Sequence, residues 1–149
     1  MLDCVKKIVW KILFLMEFVF RKVFKISTSK ESNMSAAKLN LKIDQGSTFS
    51  RGLQFTQEDK VTPIDKTGST LRGMIRLTYD SVAPLVSFSI DETDKANGNF
   101  LFYLSAVQTA SLPSTKDKDP LVYDIEEVIG SNVTRILQGA VQVSPEATK

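Results

Sequence analysis

The feature that most constrains this chain is a change of period near Lys38. Before it apolar residues recur at three-and-four spacing, and after it they recur at every second position. A period of two predicts strands with one face buried. Leu39, Leu41 and Ile43 alternate with Asn40 and Lys42, which predicts a first short strand. Over 48–56, Phe49, Leu53 and Phe55 share a face, with Arg51 at the one awkward position. Leu71, Gly73, Ile75, Leu77 and Tyr79 alternate with Arg72, Met74, Arg76 and Thr78, predicting a strand over 71–79. Val86, Phe88 and Ile90 predict another over 85–90, Phe100, Phe102 and Leu104 one more, and Leu121, Tyr123 and Ile125 the next. In the last strand, over 133–143, Val133, Leu137, Val141 and Val143 share a face with Arg135 and Gly139, opposite Ile136 and Ala140.

The breaks between these runs carry turn chemistry. Asp44-Gln45-Gly46-Ser47 and the charged Gln57-Glu58-Asp59-Lys60 read as turns, and Pro63 limits 61–65 to an edge or a bulge. A polar loop over 91–98 ends in Asn97-Gly98, a strong hairpin signal. Residues 105–112 suit one short helical turn, ended by Pro113, and Gly130-Ser131-Asn132 makes the last hairpin. About seven short strands with little helix predict a mainly β chain built as a two-layer antiparallel β-sandwich, with a small barrel as the alternative. The domain is expected over 38–146, followed by a short tail, 147–149.

Residues 1–33 are a different material. They carry Lys6, Lys7, Lys11, Arg21, Lys22, Lys25 and Lys30 against Asp3, Glu17 and Glu31, a net of +4, whereas the remainder carries a net of −2. Apolar residues at helical spacing over 1–26 predict a basic amphipathic helix preceding the sandwich, and 27–37 reads as a polar linker. Lys11 and Glu17 interrupt the apolar run, which argues against a transmembrane span and against a signal peptide. Membrane contact is therefore expected only through this helix, with Trp10, Phe14 and Phe18 burying while Lys7, Lys11 and Lys22 snorkel, and the same face would serve a protein partner. The alternative is a non-native upstream extension, because Met34-Ser35-Ala36-Ala37 also reads as a protein start.

Chemistry is sparse in what remains. The chain has no histidine and one cysteine, Cys4, so the common catalytic triads and cysteine-cluster metal sites are excluded. Ser114-Thr115-Lys116 lies in a loop, without the helical setting a lysine-activated serine needs. Asp91, Glu92 and Asp94, and then Asp117 and Asp119, form two acidic clusters without calcium-loop spacing, and lysines sit among them. Solvated turns are the expected reading. Glycines are dispersed, and Phe49, Phe55, Phe88, Phe100 and Phe102 fall on in-facing positions as core rather than as a base-stacking platform. Asn132-Val133-Thr134 is a formal glycosylation acceptor, read here as chance. With a net charge of +2 nucleic acid is not an expected partner, and neither an enzyme nor a cofactor is expected.

One pattern goes further. Val122-Tyr123-Asp124-Ile125-Glu126, then Gly130, then the run from Val133-Thr134-Arg135-Ile136-Leu137 through Gly139 to Ser144-Pro145-Glu146 resembles the ending of small tailed-phage virion proteins. Ile43-Asp44-Gln45-Gly46-Ser47-Thr48-Phe49, Pro63-Ile64-Asp65-Lys66-Thr67-Gly68 and Arg72-Gly73-Met74-Ile75-Arg76 are similar, in the same order, to the N-terminal domain family of phage baseplate upper proteins. The resemblance covers 38–146. It departs at Lys66, where that family usually has an apolar residue, and in a longer loop over 116–119. It implies an Ig-like β-sandwich in a virion, assembled in the host cytoplasm. There it would be a tail or baseplate component holding fibres or neighbouring subunits within a homo- or hetero-oligomeric assembly. Two other classes stay open: a membrane-associated protein anchored by the N-terminal helix, and a capsid decoration or carbohydrate-binding module.

Overall fold

The alternating segments pair into two sheets that close over one apolar layer. The computed structural model describes residues 23–27 and 35–147. Its strands are β1 (Val23–Ser27), β2 (Ala37–Lys38), β3 (Leu41–Asp44), β4 (Phe49–Thr56), β5 (Thr70–Arg76), β6 (Val86–Ser87), β7 (Ser89–Asp91), β8 (Asn99–Leu104), β9 (Leu121–Ile129) and β10 (Asn132–Ser144). One short helix, α1 (Ala106–Ala110), follows β8, and a 3₁₀ turn, Lys95–Asn97, precedes it. The first sheet runs β1-β4-β8-β7, and the second runs β2-β10-β9-β5-β6, with β3 also on β10.

The sheets are mixed, which corrects the expectation of purely antiparallel pairing. β2 and β3 lie parallel to β10, and β1 lies parallel to β4, whereas β4–β8, β7–β8, β5–β9, β5–β6 and β9–β10 are antiparallel. Period-2 patterning reports which face is buried and carries no information about strand direction. The extent of the expected helix over 1–26 and of the linker over 27–37 is corrected as well. Val23–Ser27 is a strand paired with Gly52–Thr56, and Ala37 already belongs to β2. Val23, Phe24 and Ile26 are β-branched or aromatic residues beside an edge that would otherwise present unpaired backbone groups. The rest of the expected helix, residues 1–22, lies outside the described residues.

The core follows the predicted in-facing positions closely. Leu41, Ile43, Leu53, Phe55, Ile75, Phe100, Phe102, Leu104, Tyr123, Ile125, Leu137, Val141 and Val143 are buried. Each such side chain contributes roughly 1.5–3 kcal/mol on leaving water. Phe88 meets Phe102 and Tyr123 edge to face, with centroids 5.3 Å and 6.0 Å apart, and Phe55 meets Phe100 in the same way at 5.6 Å. The aromatics read as core are therefore packed as core.

Three strand expectations need correction. The segment 85–90 is not one strand but two, because the chain leaves the second sheet as β6 and enters the first as β7. Phe88, at the crossing, donates its N–H to Gly73 O at 2.9 Å and drops its ring between the layers. The strand expected over 71–79 stops at Arg76, leaving Leu77 and Tyr79 exposed. Arg76 Nη1 donates to Ser81 O at 2.6 Å and to Val82 O at 2.8 Å, folding the chain back into a tight loop. In β10 the register shifts between Arg135 and Leu137, so Ile136 and Leu137 are both buried and Val133 is turned outward. Such a bulge spends one extra residue on one strand and reverses the alternation N-terminal to it.

The Asn97-Gly98 signal marks a β7–β8 connection, but not as a two-residue turn. Gly98, at φ +70°, ends the 3₁₀ turn and its N–H bonds Lys95 O at 3.0 Å. The left-handed backbone there is open to glycine at little cost. The helical turn expected over 105–112 is α1, where Ser105 Oγ accepts from Gln108 N and Gln108 Oε1 accepts from Ser105 N, a reciprocal capping box.

Candidate interaction surfaces

The residues expected to contact a membrane or partner, Lys7, Trp10, Lys11, Phe14, Phe18 and Lys22, lie outside the described residues. Among the described residues no helix is long and apolar enough to cross a membrane. The surfaces that remain are those of the sandwich.

The motif residues behind the phage resemblance come together, and they do structural work. On the outer face of the second sheet Arg72 Nε and Nη2 both reach Glu126 Oε2 at 2.9 Å, and Arg135 Nε reaches Asp124 Oδ2 at 3.2 Å. The strand register puts these partners opposite or diagonal to one another, so a charge ladder crosses β5, β9 and β10. These are partly exposed pairs, worth about 0–1 kcal/mol each. Near the start of β4 the two ends of the motif set clasp. Gln45 Nε2 donates to Leu112 O at 2.6 Å, and Glu146 N donates to Gln45 Oε1 at 3.1 Å.

Asn40 fills the gap between β2 and β3. Its Oδ1 accepts from Ala140 N at 3.1 Å, replacing a ladder bond that the interrupted strand does not make. Tyr123, buried from the opposite side, donates its hydroxyl to Leu39 O at 2.7 Å. Burial pushes the Tyr123 phenol well above the ordinary tyrosine range, and the nearby Arg51 charge offsets only part of that. A phenol whose pKa is raised by folding contributes stability that is complete below the unfolded value, about 10, and is lost as pH rises above it. Tyr123→Phe is therefore expected to flatten the alkaline decline in stability above about pH 10, while costing about 1 kcal/mol at neutral pH through the lost hydrogen bond. Urea midpoints at pH 7 and pH 11 check this, and parallel declines in both chains would contradict it.

Loop carboxylates are committed to their own turns. The Asp94 carboxyl is held below the usual range by the side-chain amides of Asn99 and Asn97, each at 2.6 Å. Asp59 is held down by the Thr62 hydroxyl and by the N–H groups of Val61 and Thr62, Asp65 by Thr67, and Asp91 by Thr93. Glu92 caps the β5 edge through Leu71 N at 2.9 Å and pairs with Lys95 at 3.1 Å. Among the described residues no group of three or more Cys, His, Asp or Glu is placed to hold a metal ion. A shallow depression lined by Ile90, Asp91, Glu92, Thr93, Lys95 and Tyr103 is open to solvent, and its Glu92 and Lys95 are already paired with each other.

What alternation missed is an apolar end of the sandwich. Leu77, Tyr79, Val82 and Leu85 on the β5–β6 loop are 56%, 58%, 95% and 42% exposed, and Val107 on α1 is 81% exposed. A signal was present in the sequence: Ser81–Ile90 and Ser105–Thr115 contain no charged residue in a chain that is 24% charged.

No protein-family model matches the chain. No curated protein matches it by sequence either. The chain is mainly β, with mixed sheets. Among solved structures it is similar to the N-terminal domain of phage TP901-1 ORF48, at 13% identity and a TM-score of 0.43, over 83% of this chain and 97% of that one. It is also similar to the N-terminal Ig1-2 module of the Drosophila receptor protein tyrosine phosphatase DLAR, at 12% identity and a TM-score of 0.35, over 74% of this chain. The match spans about half, 47%, of that second structure.

Proposed function

We propose that this chain is a non-enzymatic structural component of a tailed-phage virion, with an Ig-like domain placed at the tail or baseplate, where it holds fibres or neighbouring subunits. One observation carries the reading. The sequence pieces that resemble phage virion proteins bond to one another in the fold: Gln45 to Glu146 and Arg72 to Glu126 join pieces far apart in the chain, and Asp124 to Arg135 ties the last hairpin. The motif residues thus belong to one three-dimensional unit, in which they bridge neighbouring strands of the second sheet and the chain just beyond β3 and β10. The exposed apolar residues at one end of the sandwich suit a module whose work is to be held against other proteins. Partners on this reading are other virion proteins, brought together at high copy number so that modest contacts add up.

Electron microscopy of intact particles with a gold-labelled antibody raised against 38–146 tests the placement. Label at the distal end of the tail is expected. Label over the capsid would replace this placement with the decoration reading, and unlabelled particles would remove the virion role.

A further inference from the structure

Asn97-Gly98 is the one Asn-Gly pair in the chain. In such a pair the glycine amide nitrogen reaches the asparagine side-chain carbonyl carbon with little hindrance, because glycine has no Cβ. Here both reacting groups are tied down. Asn97 is exposed, but its Nδ2 donates to Asp94 Oδ1 at 2.6 Å. The nucleophile, Gly98 N, donates its hydrogen to Lys95 O at 3.0 Å. Gly98 itself is buried and wedged: its carbonyl accepts Phe55 N at 2.9 Å, and a Cβ there would stand 2.6 Å from Phe55 O and 2.7 Å from Ile64 O. Asp94 Oδ2 accepts from Asn99 Nδ2 at 2.6 Å, so both oxygens of that carboxylate are engaged in holding the turn.

We propose that Asn97-Gly98 is a deamidation site that the fold holds closed, and that Asp94 is the residue that closes it. In the reaction a bond forms between Gly98 N and Asn97 Cγ, the Cγ–Nδ2 bond breaks, and the side-chain nitrogen leaves as ammonia with the proton given up by Gly98 N. Water then opens the resulting cyclic imide at either carbonyl, leaving aspartate or isoaspartate at position 97. Aspartate sets a second carboxylate against that of Asp94, where a donated hydrogen bond stood before. Isoaspartate lengthens the backbone by one carbon immediately before Gly98, which displaces the wedge between Phe55 and Ile64. Reaction is therefore confined to molecules in which the 3₁₀ turn has opened, and its products hinder the turn from closing again. The inference is independent of the virion reading.

Peptide mass spectrometry of the full chain, incubated at mildly alkaline pH with and without guanidinium chloride, tests this. Conversion of Asn97 is expected to run at least about 10-fold faster in denaturant than in the folded chain, because at least one net hydrogen bond has to open first. Folded Asp94→Ala is expected to convert about 10-fold faster than folded wild type, beyond what its unfolded fraction, read from the denaturant midpoint, accounts for. If that variant does not fold, Asp94→Asn takes its place; its neutral oxygen is the weaker acceptor, so conversion is again expected to exceed the wild-type rate. Equal rates with and without denaturant overturn the proposal, as does an Asn97 that stays unconverted in denaturant. A folded Asp94 variant that reacts at the wild-type rate overturns the role given to Asp94.

Discussion

Lys66→Ala is expected to destabilise the domain by about 3–5 kcal/mol, the loss typical of breaking a buried ion pair from one side. Lys66 Nζ lies 2.9 Å from Glu127 Oε1, with the two side chains only 13% and 9% exposed. The same ammonium stands 4.5 Å from the centroid of the Phe55 ring. Truncation leaves the Glu127 carboxylate in an apolar setting with its charge unmatched, and that penalty, rather than the lost attraction, accounts for most of the effect. Lys66→Met with Glu127→Leu is expected to recover to within about 1–2 kcal/mol of wild type, or to exceed it, because an apolar pair needs no desolvation. The urea midpoint at constant m reads both results. A loss under about 1 kcal/mol in Lys66→Ala would show that Glu127 is solvated after all.

The lysine at position 66 is accommodated because Glu127 comes to meet it from the in-facing side of β9.

Gly139→Ala is the second large effect. A Cβ at Gly139 would overlap Leu39 O and stand 2.8 Å from Leu39 C, both backbone atoms. Leu39 does not give way easily, because its N–H bonds Gln138 O at 3.0 Å and its carbonyl accepts the Tyr123 hydroxyl. Relief requires β2 and β3 to part from β10. The expected cost is about 3 kcal/mol, at the upper end of ordinary overpacking. Amide exchange gives a readout beyond the midpoint: faster exchange is expected at Leu39 N and Ala140 N, while the β9–β5 amides stay protected. Wild-type exchange at both sites would contradict the close approach.

Much of the fold was legible because burial imposes its period on the sequence. Alternation assigns Leu41 and Ile43, Leu53 and Phe55, Phe100 and Phe102, and Tyr123 and Ile125 to the core, and each is buried. Alternation does not say which sheet a strand joins, so the crossing at Phe88 and the parallel pairing of β2 and β3 were invisible. It also assumes an unbroken register, and the bulge at Ile136 violates that assumption. Strand limits failed where a side chain overruled the pattern, as the Arg76 guanidinium does before Leu77. The buried Lys66–Glu127 pair joins residues far apart in sequence that no spacing rule connects. Of the interaction surfaces, the charge-free stretches over 81–90 and 105–115 were visible as composition. Their convergence at one end depends on the β6–α1 contact, which only the fold supplies.

The virion role proposed for this domain requires it to be present in the particle. Quantitative mass spectrometry of purified parent particles tests it most directly, using peptides from 38–146 together with peptides on both sides of Met34. Domain peptides are expected at a fixed stoichiometry to the other tail proteins, enriched with the particles through repeated density gradients. Their absence from particles, with the protein recovered only from the infected-cell lysate, would contradict it.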